Sequence, residues 1–384
     1  MIDDVCGGMQ SMNNTPEDFH YDDNGGIIEH LEQGASHRVI ATKSTAPYTT
    51  FSTVEQLMLQ SHERAFYENN DPSAGPGLSL IKLRVAPTNR CTARCGYCPR
   101  KQAQADGSGY MDYDRFVKLV DHAVDLDIRK IGFGGWGEPT LHPRLFDMID
   151  YALAKNMQVS ITSNLLKLDA AGVEKLASYH FEDVELSMDG FTPEEYRAGK
   201  RVDRYETAFH NLNKFFEIQR RIKPDTLFNV HFVDVGHVTL ANKFRFVRYW
   251  KKQMRGLNHS NMFIYRHLNC GGLSQDYDAS KTLSGKILGS VKLRKPCFLL
   301  GAFAINYDGA AFTCSAHPMP YMKIGNAFET PLDELAQSPL FLQYREAHRT
   351  GNFDMPGCRD CDINVSVPLV SFVQKIFYKM CSLM

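Results

Sequence analysis

From residue 80 onward the chain alternates between two hydrophobic patterns. Short apolar runs occur at Leu80–Val85, Lys130–Phe133, Gln158–Thr162, Asp183–Ser187, Leu227–Val233 and Asn261–Tyr265, each of a length suited to a β-strand. Between them apolar residues recur every three or four positions. Phe116, Leu119, Val120, Ala123 and Val124 do so, as do Leu145, Met148, Ile149 and Ala152, and this predicts amphipathic helices. Strands and helices in strict alternation predict βαβ units around a parallel sheet, an α/β fold. Six units are too few to close an eight-stranded barrel, so a partial (β/α)6 TIM-like barrel is expected. In such barrels the chemistry lies on loops that follow the C-terminal ends of strands.

The flanks read differently. Residues 1–75 are polar and rich in Asn, Asp, Gly and Ser, which predicts a loose N-terminal extension holding one amphipathic helix, Val54–Tyr67. "DPSAGPG" at 71–77 is a loop by composition and marks the start of the main domain, 76–269. After about residue 270 the pattern changes, which sets off a smaller domain at 270–384. There "AINYDGAAFTC" (304–314) predicts a hairpin about a Tyr-Asp-Gly turn, Pro331–Thr350 reads as helical, and "GCRDC" follows.

Composition narrows the setting. The 384 residues allow two domains, and 43% hydrophobic with 23% charged residues is ordinary for a globular protein. A formal charge of −1 gives no field that would favour nucleic acid or an anionic membrane. No membrane span is expected, because the best candidate, Val365–Phe377, is broken by Pro368, Gln374 and Lys375. The start, "MIDDVCGGMQ", lacks the apolar core of a signal peptide. A cytoplasmic, reducing location is therefore expected, in which the ten cysteines bind metal rather than form disulfides.

Candidate chemistry begins after the first predicted strand, where "CTARCGYC" holds Cys91, Cys95 and Cys98. A trio cannot pair fully as disulfides, and a closed zinc site usually has four ligands, so a distant histidine would have to complete one. Three thiolates on a four-iron cluster would instead leave one iron open. After the second strand, "GFGGWGEPTLHP" matches the dinucleotide spacing Gly132-x-Gly134-x-x-Gly137, but Pro139 and Pro143 argue against the helix that motif requires. "ITSNLL" and "VELSMDG" end the third and fourth strands with short polar side chains.

The trio, with aromatic Tyr97 before its third cysteine, resembles the radical S-adenosylmethionine superfamily, and the resemblance extends over residues 80–265. It implies a [4Fe-4S] cluster on Cys91, Cys95 and Cys98 whose open iron binds S-adenosylmethionine. One electron from an external reductant, such as flavodoxin or ferredoxin, then yields a 5′-deoxyadenosyl radical. It further implies cofactor contacts from Tyr97, from the glycine-rich loop with Gly135, Gly137 and Glu138, from Ser163 and Asn164, and from Ser187 and Asp189.

Four later cysteines, Cys297, Cys314, Cys358 and Cys361, can supply four thiolates to one closed zinc or iron–sulfur site. Their order, with Gly309 ahead of Cys314 and a CxxC pair, resembles the SPASM/twitch extensions of radical enzymes and implies one auxiliary [4Fe-4S] cluster. Cys6, Cys270 and Cys381 are taken as unligated, with Cys270 the first candidate for an exception. The expected function is a radical oxidoreductase acting on a sugar- or aminocyclitol-like small molecule. A SPASM-type maturase that crosslinks a ribosomally made peptide is the alternative, and a zinc-binding scaffold without catalysis a third. His231 on the fifth strand and Arg266 on the sixth are candidates to accept a proton and to hold a substrate oxygen.

Overall fold

Alternate burial along the strands organises the molecule. Leu83, Val85, Ile131, Phe133, Val184 and Leu186 are buried and share one core with Phe116, Leu119, Val120, Met148 and Ile149 from the helices. Residues between them turn to the other face of the sheet, among them Arg84, Gly132, Thr162 and Glu185. The computed structural model describes residues 81–100, 108–259, 297–316 and 319–361, with short segments at 20–21, 27–28, 264–266, 270, 273–274, 293–294 and 365–366. The predicted helix Val54–Tyr67 lies outside the described residues.

Residues 1–56 form one unit, in which β1 (His20–Tyr21) pairs antiparallel with β2 (Ile27–Ile28). The second unit, 57–384, holds the alternating elements. They are β3 (Lys82–Val85), α1 (Tyr113–Asp125), β4 (Lys130–Phe133), α2 (Leu145–Ala154), β5 (Gln158–Ser163), α3 (Ala170–Ser178) and β6 (Asp183–Ser187). Then come α4 (Pro193–Lys200), α5 (Tyr205–Ile222), β7 (Leu227–Asp234), α6 (Leu240–Gln253) and β8 (Ile264–Arg266). Several helices begin where a short polar side chain caps them: Asp112 on α1, Asp169 on α3, Thr192 with Pro193 on α4, and Thr239 on α6.

Strands β3 to β8 pair parallel in chain order, which matches the predicted α/β architecture. The C-terminal segment contributes more than a separate hairpin. β10 (Ala302–Ile305) lies parallel against β3, and β11 (Ala310–Phe312) and β12 (Lys323–Asn326) follow antiparallel. The result is a nine-stranded sheet whose edge strands, β12 and β8, are not paired with each other, so the barrel stays open. Two-residue strands β9 (Leu293–Arg294) and β13 (Val365–Ser366) pair separately. The predicted helix over 331–350 is two helices, α7 (Leu332–Ala336) and α8 (Pro339–Arg349), because Pro339 cannot continue the first.

An aromatic cluster secures the far side of the sheet. Trp250 is fully buried, with Phe209, Phe216, Phe246 and Tyr249 ring centroids 5.8, 6.1, 6.3 and 5.0 Å away. Replacing Trp250 with Ala is expected to cost about 3–5 kcal/mol of unfolding free energy. Leu240→Ala, at a residue 58% exposed, should shift it by less than about 0.5 kcal/mol. Urea titration of both variants followed by circular dichroism tests the contrast, and equal losses would contradict it.

Candidate active site and second thiol cluster

The loops after β3, β4, β5 and β6 meet at one end of the sheet around a cavity of about 260 Å³ lined by all three trio cysteines. The cysteine loop is held by its backbone. The Cys98 N–H donates to the Cys95 carbonyl at 3.2 Å, and the Arg94 N–H reaches the Lys200 carbonyl at 2.9 Å. Cys91 Sγ accepts from the Ala93 N–H at 3.4 Å and from Asn164 Nδ2 at 3.9 Å.

The glycine-rich loop follows from steric need. Gly135 has φ +92°, a left-handed conformation that side chains resist. A Cβ on Gly137 would stand 1.9 Å from the Thr88 carbonyl oxygen, so only glycine lets the two loops touch. No helix opens from Gly137: a short 3-10 turn (Pro139–Leu141) comes first and α2 begins at Leu145, which disposes of the dinucleotide reading.

Glu138 is buried and its carboxylate joins two strand ends. It accepts from the Thr140 N–H and hydroxyl at 3.2 and 2.7 Å, from the Ser163 hydroxyl at 2.6 Å and from the Asn164 N–H at 2.9 Å. Its own N–H donates to the Arg90 carbonyl at 2.7 Å. Ser163 is equally engaged, since its oxygen also accepts from the Leu165 N–H at 3.0 Å. Gly137, Glu138 and Ser163, expected as cofactor contacts, all line the cavity, and their bonds and close approaches also frame it.

Beneath the trio lies a charged network that sequence reading missed in part. Asp189 is fully buried and accepts from the Tyr97 hydroxyl at 2.5 Å and from the Val233 N–H at 3.4 Å. The Lys200 ammonium stands 3.5 Å from Asp189 Oδ2 and donates to the Ser187 hydroxyl. Burial pulls the Lys200 pKa down, but Asp189, Cys95, Tyr196 and Cys91 more than reverse this, so it stays protonated. Lys200 closes α4, and Gly199 before it leaves room for that turn: a Cβ there would meet Asp189 Cβ at 2.8 Å. In sequence, a lysine ending a helix reads as an ordinary surface cation at the helix dipole, so nothing marked this one as buried.

His231 lines the cavity, and burial with the nearby Lys200 charge pushes its pKa down to about 3 despite Asp189. The ring is therefore neutral and weakly basic, and it stands on the cavity wall as a hydrogen-bonding group. Arg266 sits in register opposite Asp234, and its side chain lies outside the described residues.

The donor chemistry suits iron–sulfur clusters. Burial raises the thiol pKa at Cys91 and Cys98 and pushes Cys95 up to about 12, so a bound cation must draw the protons off. Cys297, Cys314 and Cys358 pack together with Leu300, Met322 and Tyr344. Burial, and then the neighbouring Cys314, Cys361 and Cys358, raise the Cys297 pKa, which puts the other three later thiols within electrostatic reach of Cys297. The Cys297 N–H donates to His348 Nδ1 at 3.1 Å, and the Cys361 N–H to the Cys358 carbonyl at 3.1 Å. Among the described residues no three His, Cys, Asp or Glu groups converge on a single-ion position.

Residues 85–235 match the radical SAM superfamily, and residues 297–362 match the SPASM iron–sulfur cluster-binding domain. The chain thus carries a radical SAM domain and, after it, a SPASM domain, and two [4Fe-4S] clusters and S-adenosylmethionine are their cofactors. It is similar to the tungsten-containing aldehyde ferredoxin oxidoreductase cofactor-modifying protein of Pyrococcus furiosus, 39% identical over 28% of this chain and 30% of that one. It is also similar to the GTP 3',8-cyclase of Desulforamulus reducens, 28% identical over 36% of this chain and 43% of that one. The chain thus spans less than half the length of either curated relative. Streptococcus suis SuiB bound to precursor peptide SuiA shares the fold, with TM-score 0.55 and 15% identity over 74% of this chain and 70% of that one. Among the described residues no helix is long and apolar enough to cross a membrane.

The His231 shift predicts a pH effect. Between about pH 6.5 and about 3 the unfolded chain binds a proton at this ring that the folded chain does not, so stability from this group is complete above 6.5 and falls as pH drops. Unfolding midpoints at pH 7.5 and 5 should therefore differ more in the wild type than in His231→Phe. An unchanged pH slope in the variant would refute the buried neutral ring.

Proposed function

We propose that the protein removes a hydrogen atom from a hydroxylated small molecule of sugar or aminocyclitol type and oxidises it, drawing its first electron from a flavodoxin- or ferredoxin-class reductant. The observation that carries this reading is a set of hydrogen-bonding side chains in the cavity. Thr162, Ser187 and neutral His231 line it together with the cysteine loop, and such groups can hold the hydroxyls of a substrate.

In this reading Cys91, Cys95 and Cys98 hold the first cluster and Cys297, Cys314, Cys358 and Cys361 the second. With S-adenosylmethionine bound, the first cluster would supply a 5′-deoxyadenosyl radical and the second would accept one electron. The protein's own groups orient and insulate. Lys200, paired with Asp189, adds positive charge to the cavity wall, which Gly135 and Asn164 also line. Because Lys200 donates to Ser187, the Ser187 O–H is left to donate toward a substrate oxygen. His231, uncharged, aligns a hydroxyl without bringing a competing charge to it.

Anaerobically reconstituted protein should bind about eight irons per chain. Replacing Cys91, Cys95 and Cys98 together with Ala should abolish 5′-deoxyadenosine formation while about four irons remain. Persistent 5′-deoxyadenosine from the triple variant would sink the assignment.

The reaction class is tested with a panel of aminocyclitols, sugars and peptides, deuterated at the carbon to be oxidised. Mass spectrometry should find deuterium in 5′-deoxyadenosine and a ketone formed in equal amount. Turnover confined to peptides, or deuterium returned to the product without net oxidation, would overturn the reading.

A further inference from the structure

The glycine-rich loop carries one large side chain, and that side chain reaches away from its own loop. Trp136 lines the cavity, and its indole N–H donates to the Ser315 main-chain oxygen at 2.8 Å. Ser315 directly follows Cys314, one of the four clustered thiols. Resting on the reading that these thiols hold the second cluster, we propose that Trp136 is the positioning residue that couples the cofactor cavity to the second iron site.

Both ends of the link are stiff. Gly135 adopts φ +92° with its Cα against Ala86, where an added Cβ would stand 3.0 Å from the Ala86 Cβ. Gly137 lies so close to the Thr88 carbonyl that no side chain fits between them. The two glycines thereby fix the backbone on either side of Trp136, and the bond to the Ser315 carbonyl holds the indole itself. On the far side, Thr313 is fully buried and its N–H donates to the Met322 carbonyl at 3.0 Å. Cys314 thus sits between an anchor from its own domain and an anchor from the cavity wall.

A half-buried indole N–H requires an acceptor, and this one is a backbone carbonyl. The contact is therefore independent of the side chain at 315, while the indole at 136 is indispensable to it. A ligand that fills the cavity restrains Trp136 and, through it, the Cys314 segment. By linkage, the state of that segment changes cofactor affinity by the same factor.

The test is hydrogen exchange, read by mass spectrometry, of the peptide covering 313–316 in anaerobically reconstituted full-length protein. In the wild type, adding S-adenosylmethionine should slow exchange there by about fivefold, the worth of one ordinary hydrogen bond. Trp136→Phe should lose this cofactor-linked protection while its cofactor affinity stays within about fivefold of the wild type, the worth of the one bond lost. Ser315→Ala, which keeps the main-chain acceptor, should behave as the wild type. Protection that persists in Trp136→Phe, or that vanishes in Ser315→Ala, overturns the proposal.

If Trp136→Phe folds poorly, benzothienylalanine incorporated at position 136 keeps the shape of the indole and removes only the N–H. Retained protection in that protein overturns the proposal equally. Failure of the second-cluster reading is seen separately, as wild-type iron near four per chain, whereas failure of the coupling is seen in the exchange data, as no protection in the wild type or equal protection in Trp136→Phe.

Discussion

The buried carboxylate of Glu138 is the contact on which the cavity depends. It gathers donors from Thr140 on its own loop and from Ser163 and Asn164 at the end of β5, while its backbone N–H clasps the Arg90 carbonyl ahead of the cysteine trio. Three strand ends therefore converge on one residue. A buried carboxylate left with fewer partners would carry a desolvation cost of several kcal/mol, so these loops hold together or fail together. Gly137 makes the arrangement possible, because only a residue without Cβ brings the Glu138 N–H within reach of the 88–90 backbone.

A second layer of charge lies beneath that frame. Asp189, Lys200, Ser187 and the Tyr97 hydroxyl are joined in the interior and satisfy one another. Their effect on the cavity is electrostatic: the Lys200 charge disfavours protonation of His231 and favours thiolate at Cys95 and Cys91, while burial opposes the thiolates. The same cation thus favours anionic sulfur, which metal binding requires, and keeps the imidazole uncharged.

The C-terminal region is tied to the barrel more closely than its separate pattern suggests. β10 extends the parallel sheet at β3, the strand whose loop carries the trio, and so brings the hairpin bearing Cys314 to the trio's side of the molecule. The Trp136 indole then spans the gap to Ser315. Strand order thus brings the two thiol sets to one sheet, and this hydrogen bond links the loop beside one to the residue after Cys314.

The sequence alone determined the local features, because they arise from short-range chemistry. Apolar periodicity set strands β3 to β8 and the helices between them, and the trio's spacing set a loop of three thiols at a strand end, since neither depends on distant residues. It also named part of the cavity wall, but neither Lys200 nor the tasks of the residues it named. That Glu138 and Ser163 face each other, that His231 is held neutral, and that Lys200 is interior rather than on the surface are consequences of burial and of contacts between loops far apart in the chain. The parallel pairing of β10 with β3 belongs here too, because a strand's partners are chosen by the assembled sheet and leave no mark in its own four residues. Tertiary structure decided these, since desolvation and charge proximity exist only once the loops have met.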